Sequence, residues 1–249
     1  MKTPVIIPAF NEEFRLGHTL EVLPANLVEP IIAVNGTTDR TVQVAESFGA
    51  QVFEIDQQGK MPAIQYVLGR LGSQALEPVL ILDADARPIF PKKWHEHMLK
   101  YLTETEVPTV IGGPIWYTGS PRGEALLRSV YRAGRTLARA KDGNAETAIQ
   151  FGPNMGISIK SRRVIDRVME IPNYWPGEDK ALAIVVSEGI GVYRDIINPF
   201  TATWNPTSAT AISLKDRLRL GSEETLKVVA QRYVERGPQE SDPYQQKLV

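Results

Sequence analysis

Residues 80–88 read LILDADARP. An apolar run ends in two carboxylates, Asp83 and Asp85, separated by Ala84 alone. An apolar run of this kind reads as a buried strand, and the aspartates then stand where the strand leaves its sheet. In extended chain, residues two apart point to the same side, so Asp83 and Asp85 are expected to face one site with Cα atoms roughly 6.5 Å apart. Two carboxylates at ~4 Å repel by about 4 kcal/mol at an effective dielectric near ~20. A hard divalent cation removes that cost, and oxygen ligands suit magnesium or manganese. The other use of such a pair is structural: one aspartate caps the next helix and the other is solvated.

Working outward, the same rhythm recurs through the N-terminal half. PVIIP, PIIAV, AQVFEI and PVLIL are short apolar runs. Helical stretches over 12–23, 39–48 and 60–71 alternate with them, the first carrying Leu16, Leu20 and Leu23 on one face. Strands apolar on both faces, alternating with helices, predict a mostly parallel sheet covered by helices, an α/β fold. After Pro91 a helix is expected to about Thr103, followed by a fifth strand in VPTVIGG. Beyond it the pattern loosens. A long helix is expected over 122–141, a loop and strand in FGPNMGISI, a helix over 178–188 and a C-terminal helix over 213–236. The polar stretch 237–249, with Pro238 and Pro243, reads as a flexible tail.

In an open α/β sheet, ligands sit beyond the carboxyl ends of the strands. Four polar clusters fall at four consecutive strand ends: Asn11, Glu12 and Glu13 in PAFNEE, Asn35 to Asp39 in NGTTD, Gly59 and Lys60 in GKMPAI, and the aspartates of DADARP. Taken singly, Asp39 reads as a helix cap and Glu12 and Glu13 as first-turn residues. Together they line one edge, as a nucleotide site requires.

Composition narrows the alternatives. The chain has 249 residues, a formal net charge of -1 and no cysteine. Near-neutral charge argues against bulk nucleic-acid binding. The lack of cysteine excludes disulfides, thiolate metal sites and a thiol nucleophile, and fits a reducing compartment. The start, MKTPVIIPAF, reads poorly as a signal peptide because Pro4 and Pro8 break its apolar stretch. No segment approaches ~20 uninterrupted apolar residues. The expected location is the cytoplasm, with contact at a membrane surface left open.

PAFNEE, NGTTDRT with AESFGA following, GKMPAI, DADARP, GPNMGISIKSR and GEDKALA occur in this order over most of residues 4–188. This ordered set resembles family 2-type glycosyltransferases of the GT-A fold. The resemblance implies one glycosyltransferase domain over 1–249, with a nucleotide-sugar half at 1–112 and an acceptor half at 113–236. It also implies a nucleoside-diphosphate-sugar donor, a divalent metal (Mn2+ or Mg2+) and a hexosyltransferase activity. Pro8, Ala9, Asn11 and Glu13 resemble the segment lining the nucleoside, and Lys60 the lysine of the GK motif near the donor. Asp83 resembles the aspartate that helps hold the nucleoside, with Ala84 beside it, and Asp85 the metal ligand. Asp179 in GEDKA resembles the catalytic base of an inverting reaction. Asn154, Glu178 and Trp116 are placed on the acceptor side.

The chain departs from the pattern in three places, one being the absence of the QxxRW motif of processive members. AVNGT stands where the family often has VDDGS, so Asn35 takes the place of an aspartate that contacts uracil, and guanine or another base becomes admissible. No histidine follows His97, so the late metal-binding histidine of some relatives is missing.

The acceptor is the least legible part: a small molecule, a glycan or a lipid phosphate all remain open. Arg128, Arg132, Arg135 and Arg139 share one face of the expected 122–141 helix. They read either as a solvated stripe or as a surface for phosphate or anionic lipid. Trp116 reads as a sugar-stacking or a core aromatic. His95 and His97 sit two apart in a helix and so do not share a face for a metal. A retaining GT-A enzyme acting on a small phosphorylated or acidic acceptor is the main alternative, and a non-catalytic nucleotide-sugar binder the other. A haloacid-dehalogenase-type phosphatase fits poorly, since Arg87 stands where its motif has Thr or Val. A sugar nucleotidylyltransferase needs a glycine-rich loop where PAFNEE stands.

Overall fold

The computed structural model describes residues 1–104, 106–118, 154–173, 181–182, 185, 192–195 and 199–206. The expected helices over 122–141 and 213–236, the tail 237–249, and Glu178 and Asp179 lie outside these residues.

The N-terminal alternation folds as β1 (Thr3–Ala9), α1 (Leu16–Val22), β2 (Val28–Asn35), α2 (Thr41–Ser47), β3 (Gln51–Ile55), α3 (Lys60–Leu71) and β4 (Val79–Leu82). β5 (Arg87–Pro88) and α4 (Pro91–Thr103) follow, then β6 (Thr109–Gly112), β7 (Ile115–Thr118), β8 (Asn154–Ser158), α5 (Arg162–Met169), β9 (Val192–Asp195) and β10 (Thr203–Pro206).

Seven strands form the main sheet in the order β3-β2-β1-β4-β8-β6-β9. β8 runs antiparallel to both its neighbours, β4 and β6, and every other pair is parallel. The prolines of β1 fit this arrangement. Its register with β4 is confined to Val5 and Ile6, while Pro4 and Pro8, which lack an N–H, lie outside that two-sided stretch.

Alternate residues of each strand enter opposite cores, as the pleat requires. Ile6, Ile31, Ala33 and Ile81 pack against Met61, Ile64 and Leu68 of α3 and Val164, Ile165 and Val168 of α5. Val5, Ile7, Ile32, Val34, Leu80 and Leu82 pack on the other face, against Leu16 and Leu20 of α1 and Trp94, Met98 and Leu102 of α4. This is the expected α/β architecture of a mostly parallel sheet covered on both faces. Among the described residues, no helix is long and apolar enough to cross a membrane.

A second sheet, in the order β5-β10-β7, has no counterpart in the sequence pattern. β5 is two residues long, too short for any periodicity, and it is held by residues far along the chain: Thr203 pairs with Pro88 and Trp204 with Arg87. Because β5 begins at Arg87, the segment 83–86 is anchored by β4 on one side and by the small sheet on the other.

Candidate active site

The carboxylate pair does not lie in extended chain. β4 keeps a sheet partner up to Leu82, opposite Asn154. Beyond it the backbone folds into a turn, closed by the Ala86 N–H donating to the Asp83 carbonyl at 2.9 Å. The turn is fastened from below by α1, where the buried Thr19 hydroxyl donates to the Ala84 carbonyl at 2.8 Å. Ala84 itself is buried in the core.

The two aspartates therefore have unlike surroundings. Asp83 is partly exposed and paired with Lys60, its Oδ1 lying 2.8 Å from Nζ. Lys60 is the first residue of α3, so the third and fourth strand ends are joined by a charge-assisted contact. Asp85 is 8% exposed. Burial, and next the charge of Asp83, push its carboxyl up to about 6, against the opposing pull of Arg15. That Asp83 bears on Asp85 in this way keeps the two as neighbours across the turn.

Glu12 joins them. Its carboxyl is pushed up to about 7, chiefly by burial and further by Asp85 and Asp83, while Arg15 pulls the other way. Arg15 Nε lies 2.7 Å from Glu12 Oε2, and Arg15 Nη1 lies 4.0 Å from Asp85 Oδ2. Glu12, Asp83 and Asp85 thus form one electrostatic unit with Lys60 and Arg15 beyond the ends of β1 and β4.

Glu13, expected to line the nucleoside, is engaged by the loop after β2. Its carboxylate accepts from the Arg40 backbone N–H at 3.1 Å and from Arg40 Nε at 3.2 Å. Its own N–H donates to Asp39. Asn11, at φ 53, accepts from the Thr38 N–H at 2.9 Å, and the Glu12 N–H donates to Thr41 Oγ1 at 2.8 Å. These bonds stitch the loop after β1 to the loop after β2. α1 starts at Leu16 rather than residue 12, and the N–H groups of 11, 12 and 13 are held by Thr37, Thr41 and Asp39 respectively.

Asn35, at the end of β2, is buried and donates Nδ2 to the Gly59 carbonyl at 2.7 Å. Gly59 has φ 122, and a Cβ there would fall inside the Asn173 carboxamide. Asn173 in turn donates to the Gln58 carbonyl at 2.8 Å. The GK loop is thereby held from both sides. Ala9 is buried and Pro8 half-buried at the end of β1.

The acceptor-side expectations fare differently. Asn154 is fully buried and its amide is engaged: Oδ1 accepts from Trp94 Nε1 at 2.9 Å, and Nδ2 donates to the Thr201 carbonyl at 2.6 Å. Through these bonds it joins parts of the scaffold. Trp116 belongs to β7, with its side chain outside the described residues. His95 bonds Thr3 and His97 stacks on Phe200, so the two point apart. Arg15 and Thr19 are invisible to sequence reasoning, because neither stands in a motif. Glu12 and Glu13 are adjacent, and one sequence gives no sign of which of the two turns toward the aspartates.

The model for glycosyl transferase family 2 matches residues 5–168. The chain belongs to that family. Every donor-side residue named above lies within the matched stretch of this family 2 glycosyltransferase, and Asp179 lies beyond it. The chain is 43% identical over 60 residues to 4,4'-diaponeurosporenoate glycosyltransferase of Staphylococcus aureus, which is 22% of this chain and 16% of that protein. Among solved structures it is similar to glucosyl-3-phosphoglycerate synthase of Mycobacterium tuberculosis in complex with Mn2+, UDP and phosphoglyceric acid. That likeness has 19% identity and a TM-score of 0.56, covering 96% of this chain and 80% of the other. The same enzyme with Mg2+ and UDP gives 19% identity and a TM-score of 0.55, over 93% and 79% of the two chains. At this identity the likeness establishes the GT-A fold.

The buried carboxyls make stability depend on pH when no divalent cation is present. The folded chain holds protons on Asp85 (3.8 raised to about 6) and Glu12 (4.5 raised to about 7) more tightly than the unfolded chain does. Stability from these groups is therefore present at low pH and is lost as pH rises through their folded values. Melting temperatures in EDTA should fall between about pH 4 and about pH 7, the span between the unfolded and folded values of the two groups. The Glu12→Gln/Asp85→Asn double variant should flatten that slope; an unchanged slope would assign it to other groups.

Proposed function

We propose that this glycosyltransferase moves a sugar from a nucleoside-diphosphate-sugar, with the diphosphate seated over the turn 83–86 and a divalent metal on Asp85. The observation that supports this most is the Asp83–Lys60 pair beside the buried, proton-attracting Asp85 at the carboxyl ends of the strands. The donor set fits such an ion. It consists of hard carboxylate oxygens whose mutual repulsion a cation relieves. Among the described residues, no three acidic, histidine or cysteine groups gather to hold a metal. Asp85 with a diphosphate and water suits an ion that usually keeps several non-protein ligands. When bound, the metal supplies Lewis-acid neutralisation of the departing diphosphate.

The chain's own residues do the rest. Lys60 adds a point charge on the donor side and fixes Asp83. Asn35, with Nδ2 committed to Gly59, keeps Oδ1 as an acceptor, which suits the ring N–H of uracil or guanine. Asp179 serves as the base that takes the acceptor's proton if transfer inverts the sugar.

A second reading concerns the acceptor. The fold neighbour crystallised with phosphoglyceric acid favours a small phosphorylated acid as acceptor, and the alternative reaction course for such an acceptor is retention at the anomeric carbon. The anomeric configuration of the product separates the two.

A thermal-shift panel of UDP, GDP and ADP, each with and without Mn2+, tests the shared claim. UDP or GDP should stabilise the chain only with metal, by about 2.7 kcal/mol at a hundredfold excess over Kd. Equal shifts with and without Mn2+, or none with any nucleotide, would overturn the assignment.

A further inference from the structure

Arg15 stands between the nucleotide loop and the metal-side aspartate. It is the residue immediately before α1, where the helix dipole disfavours a cation. Its place is made acceptable by Glu12 at 2.7 Å and by Asp85 at 4.0 Å. Its side chain is 34% exposed, against 17% for Glu12 and 11% for Asp85. The cation is thus the most solvent-exposed of the three groups, and the carboxylates it serves are more enclosed. A divalent ion on Asp85 meets this guanidinium charge at close range, and like charges so near one carboxylate oppose each other. A diphosphate reverses that balance. Its oxygens offset both cations, and a guanidinium fork suits phosphate.

We propose that Arg15 makes metal binding conditional on the nucleotide: it competes with a divalent cation for Asp85 in the free chain and transfers its charge to the donor's diphosphate when the donor arrives. This rests on the reading that Asp85 holds the metal. Arg15 is a donor-binding residue in this scheme, and its effect falls on the order and coupling of binding.

The test is direct titration of the full chain with Mn2+, followed by the paramagnetic resonance signal of the free ion, with and without UDP. Without UDP, Arg15→Gln should bind Mn2+ several-fold to about tenfold more tightly than the wild type, an effect moderated by solvent screening. Arg15→Lys, which keeps the charge, should stay close to wild type. In the wild type, UDP should strengthen Mn2+ binding, Arg15→Lys should preserve that rise, and Arg15→Gln should show a smaller one, since only coordination by the diphosphate itself remains. Unchanged or weaker Mn2+ binding by Arg15→Gln would overturn the proposal, as would a wild type whose Mn2+ affinity ignores UDP. Asp85→Asn separates the two levels of inference. If it abolishes Mn2+ binding while Arg15→Gln changes nothing, only the role of Arg15 fails. If Asp85→Asn leaves Mn2+ binding intact, the metal assignment fails with it.

Discussion

Asp85→Asn is expected to lower turnover of the donor by on the order of 100-fold or more while leaving the fold intact or slightly stabilised. Two effects point in opposite directions. The amide nearly matches the carboxylate in size, so the core around the 8%-exposed side chain keeps its packing. It also removes a charge that burial and Asp83 already disfavour. A melting temperature in EDTA at or above wild type is therefore expected. The amide cannot supply the anionic oxygen that holds a hard cation, so metal-dependent UDP binding should disappear. An aspartate kept only for structure would lose stability and activity together. Asp83→Asn offers a contrast, because it weakens the 2.8 Å charge-assisted pair with Lys60, whose side chain is only 14% exposed. It should lower both quantities. Full activity in Asp85→Asn would remove the metal from this residue.

The difference between these two aspartates shows where sequence reading succeeds and where it stops. The parallel half is legible because its strands are buried on both faces, and a run such as Val79–Leu82 suits little besides a central strand. α3 and α4 begin and end where the pattern places them, at Lys60–Leu71 and Pro91–Thr103. The convergence of polar strand ends follows from the topology of such sheets. What stays hidden depends on contacts between distant residues. The turn at 83–86 exists because the ladder partners of β4 run out at Leu82, which only the register reveals. Thr19 matters because α1 lies beneath that turn. Glu12 and Glu13 differ in role only because Arg40 lies within reach of one and Arg15 of the other.

Asn154 shows the same limit, and its replacement carries the second large expected effect. Its motif suggests a ligand-facing residue, yet the side chain is wholly enclosed. It accepts from the buried Trp94 indole and donates to the carbonyls of Thr201 at 2.6 Å and Pro114 at 3.4 Å. One amide thus ties β8 of the main sheet to α4, to the start of β7 and to the turn before β10. Gly113 is required beside it, since a Cβ there would meet the Asn154 amide and the Thr201 backbone. Asn154→Leu removes the acceptor of the buried Trp94 indole N–H and a donor to the Thr201 carbonyl, at about 1–3 kcal/mol each. The total loss should be about 3–5 kcal/mol. For a chain of this size that lowers Tm by roughly 10 °C. Asn154→Asp keeps an acceptor for Trp94 but buries a charge facing two carbonyls, so it should be no milder. The small sheet is the wall on which β5 and the acidic turn are hung, and loosening it reaches Asp85. Both variants should therefore lose donor binding as they lose stability. If Asn154 instead touched the acceptor, Asn154→Leu would keep its Tm and raise only the acceptor KM, and the scaffold role would be refuted.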